Sequence, residues 1–105
     1  MSGYIKIFCT VPSREVAEKI AGALVGECLA ACVNIVPEIV SYYRWKGEVC
    51  RDPELLLMIK STESKFPIIK GRILSLHPYD VPEIVSVAIS EGNEKYLDWI
   101  SEATR

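Results

Sequence analysis

An α+β fold is predicted for this chain: an antiparallel sheet in βαββαβ order with two helices on one face, closed by a short C-terminal helix. Three observations predict it. Strand-like apolar runs open the chain and recur three more times. Two stretches with apolar residues at helical spacing separate them, and a Pro or Gly stands near most of the changeovers. That order is the split βαβ pattern.

The first run, "YIKIFCTV" (4–11), alternates with period 2, placing Ile5, Ile7, Cys9 and Val11 on one face. Pro12 closes it. Ser13 is a suitable N-cap for the next helix, and Glu15 lies in the first turn, where the helix dipole favours an anion. Val16, Ile20 and Leu24, flanked by Ala17 and Ala21, form its apolar stripe, and Gly26 marks its end. "ACVNIV" and "EIVSYYRW" predict one long strand, 31–49, kinked or bulged at Pro37 because proline cannot donate to a ladder. This strand is expected to exceed all others in length. Gly47 supplies a turn.

"PELLLMIKST" (53–62) is a continuous apolar run that predicts a strand covered on both faces. Thr62 or Ser64 is expected to cap a second helix bearing Phe66, Ile69, Ile73 and Leu76, with Pro67 in its first turn. Pro78 disfavours helical geometry at His77, so this helix should end at or just before it. "EIVSVAIS" (83–90) is the last strand. Gly92 and Asn93 then open a helix carrying Tyr96, Leu97 and Ile100.

A chain of 105 residues forms one domain, 1–105, and can bury about two-thirds of its unfolded surface. Twelve basic and 14 acidic residues, intermixed, give a net charge of −2. That balance lacks the basic footprint of a nucleic-acid binder. No apolar run approaches the roughly 20 residues of a membrane span. Met1-Ser2-Gly3-Tyr4 lacks the features of an export signal, so a cytoplasmic protein with reduced thiols is expected. Cys28, Cys32 and Cys50 are expected to be small buried hydrophobes.

Sets of residues able to do chemistry are few. No Gly-rich phosphate loop or His pair on a helix face is present, and no Ser/His/Asp set can be discerned from spacing. The chain is therefore not expected to be an enzyme, although Cys9 with His77 could act as nucleophile and base if the two met in space. The same thiol and imidazole are donors that suit copper or zinc. Two donors do not close a site, and Glu83, water or a neighbouring subunit would have to complete it. Lys60 and Glu83 are the charges most embedded in apolar sequence. Tyr42, Tyr43 and Trp45 end the long strand, and Trp99 sits on the last helix; with so few basic residues nearby, packing against another copy is a better use for these aromatics than stacking on bases.

"FCTVPSREVAEKIA" (8–21), "LAACVNIVP" (29–37), "SYYRWKGEV" (41–49), "ELLLMIKST" (54–62), "HPYDVPEIVSVAI" (77–89) and "GNEKYLDWI" (92–100) together resemble the CutA family of divalent-cation tolerance proteins, over essentially the whole chain. The resemblance implies a ferredoxin-like subunit in a homotrimer of PII-like architecture, with the long strand pairing between subunits. It implies copper(II) or another divalent cation as ligand, with Cys9 and His77 at the implicated positions. A further histidine precedes His77 in that pattern, and here the position is Leu76, one donor fewer. Divalent-cation (copper) tolerance with weak Cu(II) binding is the function expected. The alternative is a PII-like regulator that takes a small ligand or protein in intersubunit clefts without metal.

Overall fold

Every second side chain of the first strand, β1 (Tyr4–Val11), has an apolar layer to enter, and this places the strand inside the sheet. Ile5, Ile7, Cys9 and Val11 are buried, while Tyr4, Lys6, Phe8 and Thr10 turn to the other face. The computed structural model describes residues 3–105; Met1 and Ser2, where the absence of an export signal was expected, lie outside the described residues. Helix α1 (Arg14–Gly26) starts as predicted: Ser13 Oγ accepts the Val16 N–H at 3.2 Å, and Ala17, Ile20 and Leu24 are buried. Then come β2 (Cys32–Trp45), β3 (Glu48–Thr62), a 3₁₀ turn (Glu63–Lys65), α2 (Phe66–Leu76), β4 (Val85–Ile89) and α3 (Glu94–Ala103).

The sheet order is β2-β3-β1-β4 and all three pairings are antiparallel. This is the α+β arrangement predicted. Ile20 and Leu24 of α1 and Ile69 and Ile73 of α2 join Ile7, Cys9, Leu57 and Ile59 of the sheet in one core. Helix α3 lies against the opposite face, where Tyr4 bonds Ser101 Oγ at 2.6 Å. Asn93 caps it by accepting the Lys95 N–H.

The interruption at Pro37 is a β-bulge. Val36 pairs with Leu56 and Ile39 with Glu54, so Pro37 and Glu38 together stand opposite Leu55, and Glu38 takes the left-handed φ of 61°. The long strand does not run to residue 49. It stops at Trp45, and Lys46 (φ 50°) and Gly47 (φ 80°) make a two-residue turn with both φ positive, matching the twist of a hairpin.

The strand with most residues is β3, with 15 against 14 for β2. It begins at Glu48, five residues before the apolar run, because the polar stretch 48–52 still finds partners on β2. Pro53 is tolerated within it since β1 ends at the Val11–Leu55 pair, leaving β2 as the neighbour of β3 at that point. The hairpin formed by 39–54 therefore stands clear of the sheet and stretches the subunit to 44 × 26 × 23 Å.

Other expectations shift. Thr62 and Ser64 make no cap to α2; their hydroxyls lie 3.4 Å from each other, and the 3₁₀ turn leads into the helix instead. Pro67 does sit in the first turn, and α2 ends at Leu76 with His77 as C-cap. The last strand is shorter than 83–90, because beyond Phe8–Val85 and Tyr4–Ile89 no pairs remain. Cys28 is exposed at φ 60° just after α1, and Cys32 and Cys50 are only half-buried, where small buried hydrophobes were expected. Glu83 is exposed, whereas Lys60 is buried, with its ammonium on Asn34 Oδ1 and 3.7 Å from Cys32 Sγ.

Candidate functional site

Cys9 and His77 come together at one atom, the carbonyl oxygen of Thr10. The imidazole Nε2 lies 2.8 Å from it and Cys9 Sγ 3.8 Å. A carbonyl can only accept, so Nε2 carries the hydrogen, and Nδ1 accepts the Tyr79 N–H at 3.2 Å. The ladder between β1 and β4 ends at Phe8, and His77 supplies a donor to the stretch of β1 that β4 does not reach. Pro78 puts His77 in extended geometry (φ −85°, ψ 135°), which turns the ring away from its own helix and towards β1. The carbonyl that the ring meets belongs to β1 and not to the C-terminal end of α2.

Tyr79 stacks obliquely on His77, ring centroids 4.7 Å apart, and its hydroxyl donates to Glu54 Oε2 at 2.8 Å. Glu54 is buried at the start of the apolar part of β3. Burial and the Glu54 carboxylate both raise the Tyr79 phenol, so it stays a donor. A second pair repeats the motif on the hairpin, where the Tyr43 hydroxyl donates to Asp52 and its pKa is pushed up to about 12.

Between the hairpin and the loop after His77 lies a cleft of about 660 Å³. Glu54, Asp80 and Glu83 line it with Tyr43, Trp45 and Tyr79, and among the described residues no Lys, Arg or His does. Of the expected interface set, Tyr42 (70% exposed), Tyr43, Trp45 and Trp99 are all open to solvent.

As a metal site the Cys9–His77 pair is incomplete. Burial first, then the charges of Glu83 and Glu54, push the Cys9 thiol up to about 12, so a thiolate is disfavoured. Both imidazole nitrogens are already engaged. Among the described residues no three His, Cys, Asp or Glu side chains converge as a metal-binding group. These donors do not fit a closed metal site. The raised thiol is equally ill suited to a nucleophile. Glu54 and Tyr79 were not foreseen, although a single acid at the head of "LLLMI" and a tyrosine between two prolines were there to be noticed.

The chain matches the family model described as CutA1 divalent ion tolerance protein over residues 5–103. It is 60% identical to the divalent-cation tolerance protein CutA of Thermus thermophilus, over 93% of this chain and 95% of that one. It is 46% identical to the CutA 1 protein of Oryza sativa over 96% of this chain, but spans only 57% of that longer protein. The solved structure of the Thermus thermophilus protein superposes with a TM-score of 0.95 at 58% identity, covering 97% of this chain and 99% of that one.

Proposed function

The chain belongs to the CutA1 divalent ion tolerance family, and on that footing we propose that it is a homotrimer that contributes to copper tolerance by binding Cu(II) weakly. The observation that carries the cation reading is the acidic cleft, whose lining has three carboxylates and no basic side chain among the described residues. Cys9 and His77 do not line it but meet at the carbonyl of Thr10, which does, and Glu83 in the lining offers a further oxygen. Cu(II) takes imidazole and thiolate readily. Here it would have to displace the Cys9 proton and break the His77 bonds, which is why the affinity is modest.

Assembly is supported by the sheet face that α1 and α2 leave open. Val85 and Val87 are each 48% exposed there, beside half-buried Phe8, Leu56 and Met58. With Tyr42, Tyr43 and Trp45 on the projecting hairpin and Trp99 on α3, an isolated subunit would present a large apolar surface. The cleft's volume also suits a small organic ligand, and this favours the PII-like regulator as the second reading.

Isothermal titration tests both. Cu(II) should bind the wild type weakly and lose its binding in Cys9→Ser and in His77→Ala; affinity unchanged in both variants removes the pair as the site. Saturable binding of a nucleotide, with none of Cu(II), favours the regulator. Light scattering of the same samples should give three times the 11.7 kDa subunit mass, weakened more by Trp45→Ala than by Trp99→Ala.

A further inference from the structure

Lys60 is only 8% exposed, and none of the ion pairs among the described residues involves it. A lysine buried to that degree normally has a carboxylate beside it. Opposite it on β1 stands Lys6, a second cation, and opposite it on β2 stands Cys32. Like charges that face each other across a ladder are unfavourable, and the Lys60 side chain turns towards β2. There its ammonium donates to Asn34 Oδ1 and lies 3.7 Å from Cys32 Sγ.

The sulfur is the second observation. Thiols that oxidise stand beside a cation with some access to water, while inert ones are enclosed by apolar groups. Cys9 is of the enclosed kind, fully buried in the core. Cys32 is half-buried and has the Lys60 ammonium for a neighbour. Cys28 is exposed, with no amine bonded to its sulfur among the described residues. Cys32 opens β2 at the end remote from the hairpin. Tyr96 of α3 is near enough that the charge of Cys32 adds to burial in raising its phenol, so the chain's own last helix borders the pair.

We propose that Cys32 is a peroxide-sensitive thiol and that Lys60 captures its oxidised form in a reversible Sγ–Nζ cross-link. Hydrogen peroxide first transfers one oxygen to the Cys32 sulfur: an S–O bond forms, the O–O bond breaks and water leaves. The sulfur is oxidised by two electrons and the peroxide is reduced by two. Lys60 then gives one proton to solvent, and its amine attacks the sulfur. The S–N bond forms, the S–O bond breaks, and the oxygen leaves as water with a proton from the amine. This second step is redox-neutral. The link ties the first residue of β2 to its partner on β3, removes one buried positive charge, and holds the sulfur short of the irreversible sulfinic acid. An external thiol reverses it by attacking the sulfur and expelling the amine, and a second thiol then releases Cys32. Neither the acidic cleft nor the Cys9–His77 pair takes part, so loss of Cu(II) binding leaves the proposal standing.

The test is peptide mapping by mass spectrometry of the assembled wild type after hydrogen peroxide, with dimedone present to trap sulfenic acids. The peptide carrying Cys32 should emerge joined to that carrying Lys60, lighter by two hydrogens than their sum, and dithiothreitol should separate them. Exposed Cys28 reports that peroxide reached the protein. Lys60→Arg keeps the positive charge without a primary amine; it should abolish the link and leave Cys32 to dimedone. Should Lys60→Arg fail to fold, Cys32→Ser takes its place, and no peptide should then be joined to Lys60. Cys32 still reduced where Cys28 is oxidised, Cys32 oxidised without a link to Lys60, or a link that survives either substitution overturns the proposal.

Discussion

Replacing His77 with alanine is expected to lower the unfolding free energy by about 2–4 kcal/mol, read as a shift of the urea midpoint with unchanged slope. The side chain is buried and makes two hydrogen bonds, to the Thr10 carbonyl at 2.8 Å and from the Tyr79 N–H at 3.2 Å. A net hydrogen bond contributes about 1 kcal/mol, and a buried group left without a partner costs roughly 1–3 kcal/mol. The Thr10 carbonyl would lose its ring donor, and Tyr79 would lose both an acceptor for its N–H and the ring it packs on. A loss below about 0.5 kcal/mol would mean that the surrounding chain closes over the gap, and that the imidazole does not hold loop to strand. Stability lost with copper uptake unchanged would establish the histidine as architecture.

The second large effect is alkaline. The Cys9 thiol has an ordinary value of 9.0 and is pushed up to about 12 in the folded chain. Below pH 9 both states carry the proton, and its contribution to stability is constant. Above it the unfolded chain releases the proton while the folded chain keeps it, so stability falls as pH rises, by up to about 1.4 kcal/mol per pH unit for one thiol. The fall should continue to about pH 12, where the folded thiol ionises too. Tyr43 and Tyr79 titrate upward from an ordinary value of 10.0, so the clean window is about pH 9 to 10. There the wild type should lose about 1 kcal/mol more than Cys9→Ala in denaturant titrations. Parallel curves would show that the thiol is not held protonated. Alkylation at about pH 8 provides a second measurement: iodoacetamide should label exposed Cys28 and spare Cys9.

The sequence disclosed whatever a local period could carry. The alternation of β1, the stripe and Ser13 cap of α1, the interruption at Pro37 and the end of α2 before Pro78 each depend on a few neighbouring residues, and each stands as predicted. The first half of β3 did not show, because "EVCRD" has no apolar rhythm. Its pairing rests on cross-strand contacts instead, such as Arg51 Nε on the Tyr42 hydroxyl at 3.1 Å and its guanidinium 5.8 Å from that ring. Thr62 and Ser64 misled because each is a good cap by type, and nothing local reveals that a 3₁₀ turn takes up the residues between.

The candidate site was legible only in part for a related reason. Cys9 and His77 could be named by their chemistry. Their meeting point, the Thr10 carbonyl, is a backbone atom 67 positions from the histidine. The Tyr79–Glu54 bond spans 25 positions between residues that look ordinary in isolation. No spacing rule joins such pairs; the sheet order does, by bringing the end of β1 and the middle of β3 to the loop after α2.

The bulge at Pro37 and Glu38 acts as a parity switch. Ahead of it the even-numbered residues Asn34 and Val36 share a face with Met58 and Leu56; beyond it the odd-numbered Ile39, Ser41, Tyr43 and Trp45 share that face with Glu54, Asp52, Cys50 and Glu48. Were the same residues paired straight through, Pro37 would stand opposite Leu55 and Glu38 opposite Glu54. Even-numbered Val40, Tyr42 and Arg44 would then keep the face, and Tyr43 and Trp45 would turn to the other side. Two carboxylates would confront each other across the ladder, and a guanidinium would enter the side that now carries an indole. The charge and aromatic character of this face of the hairpin are thus set by a residue count, one supernumerary position in a strand, as much as by which side chains the chain contains.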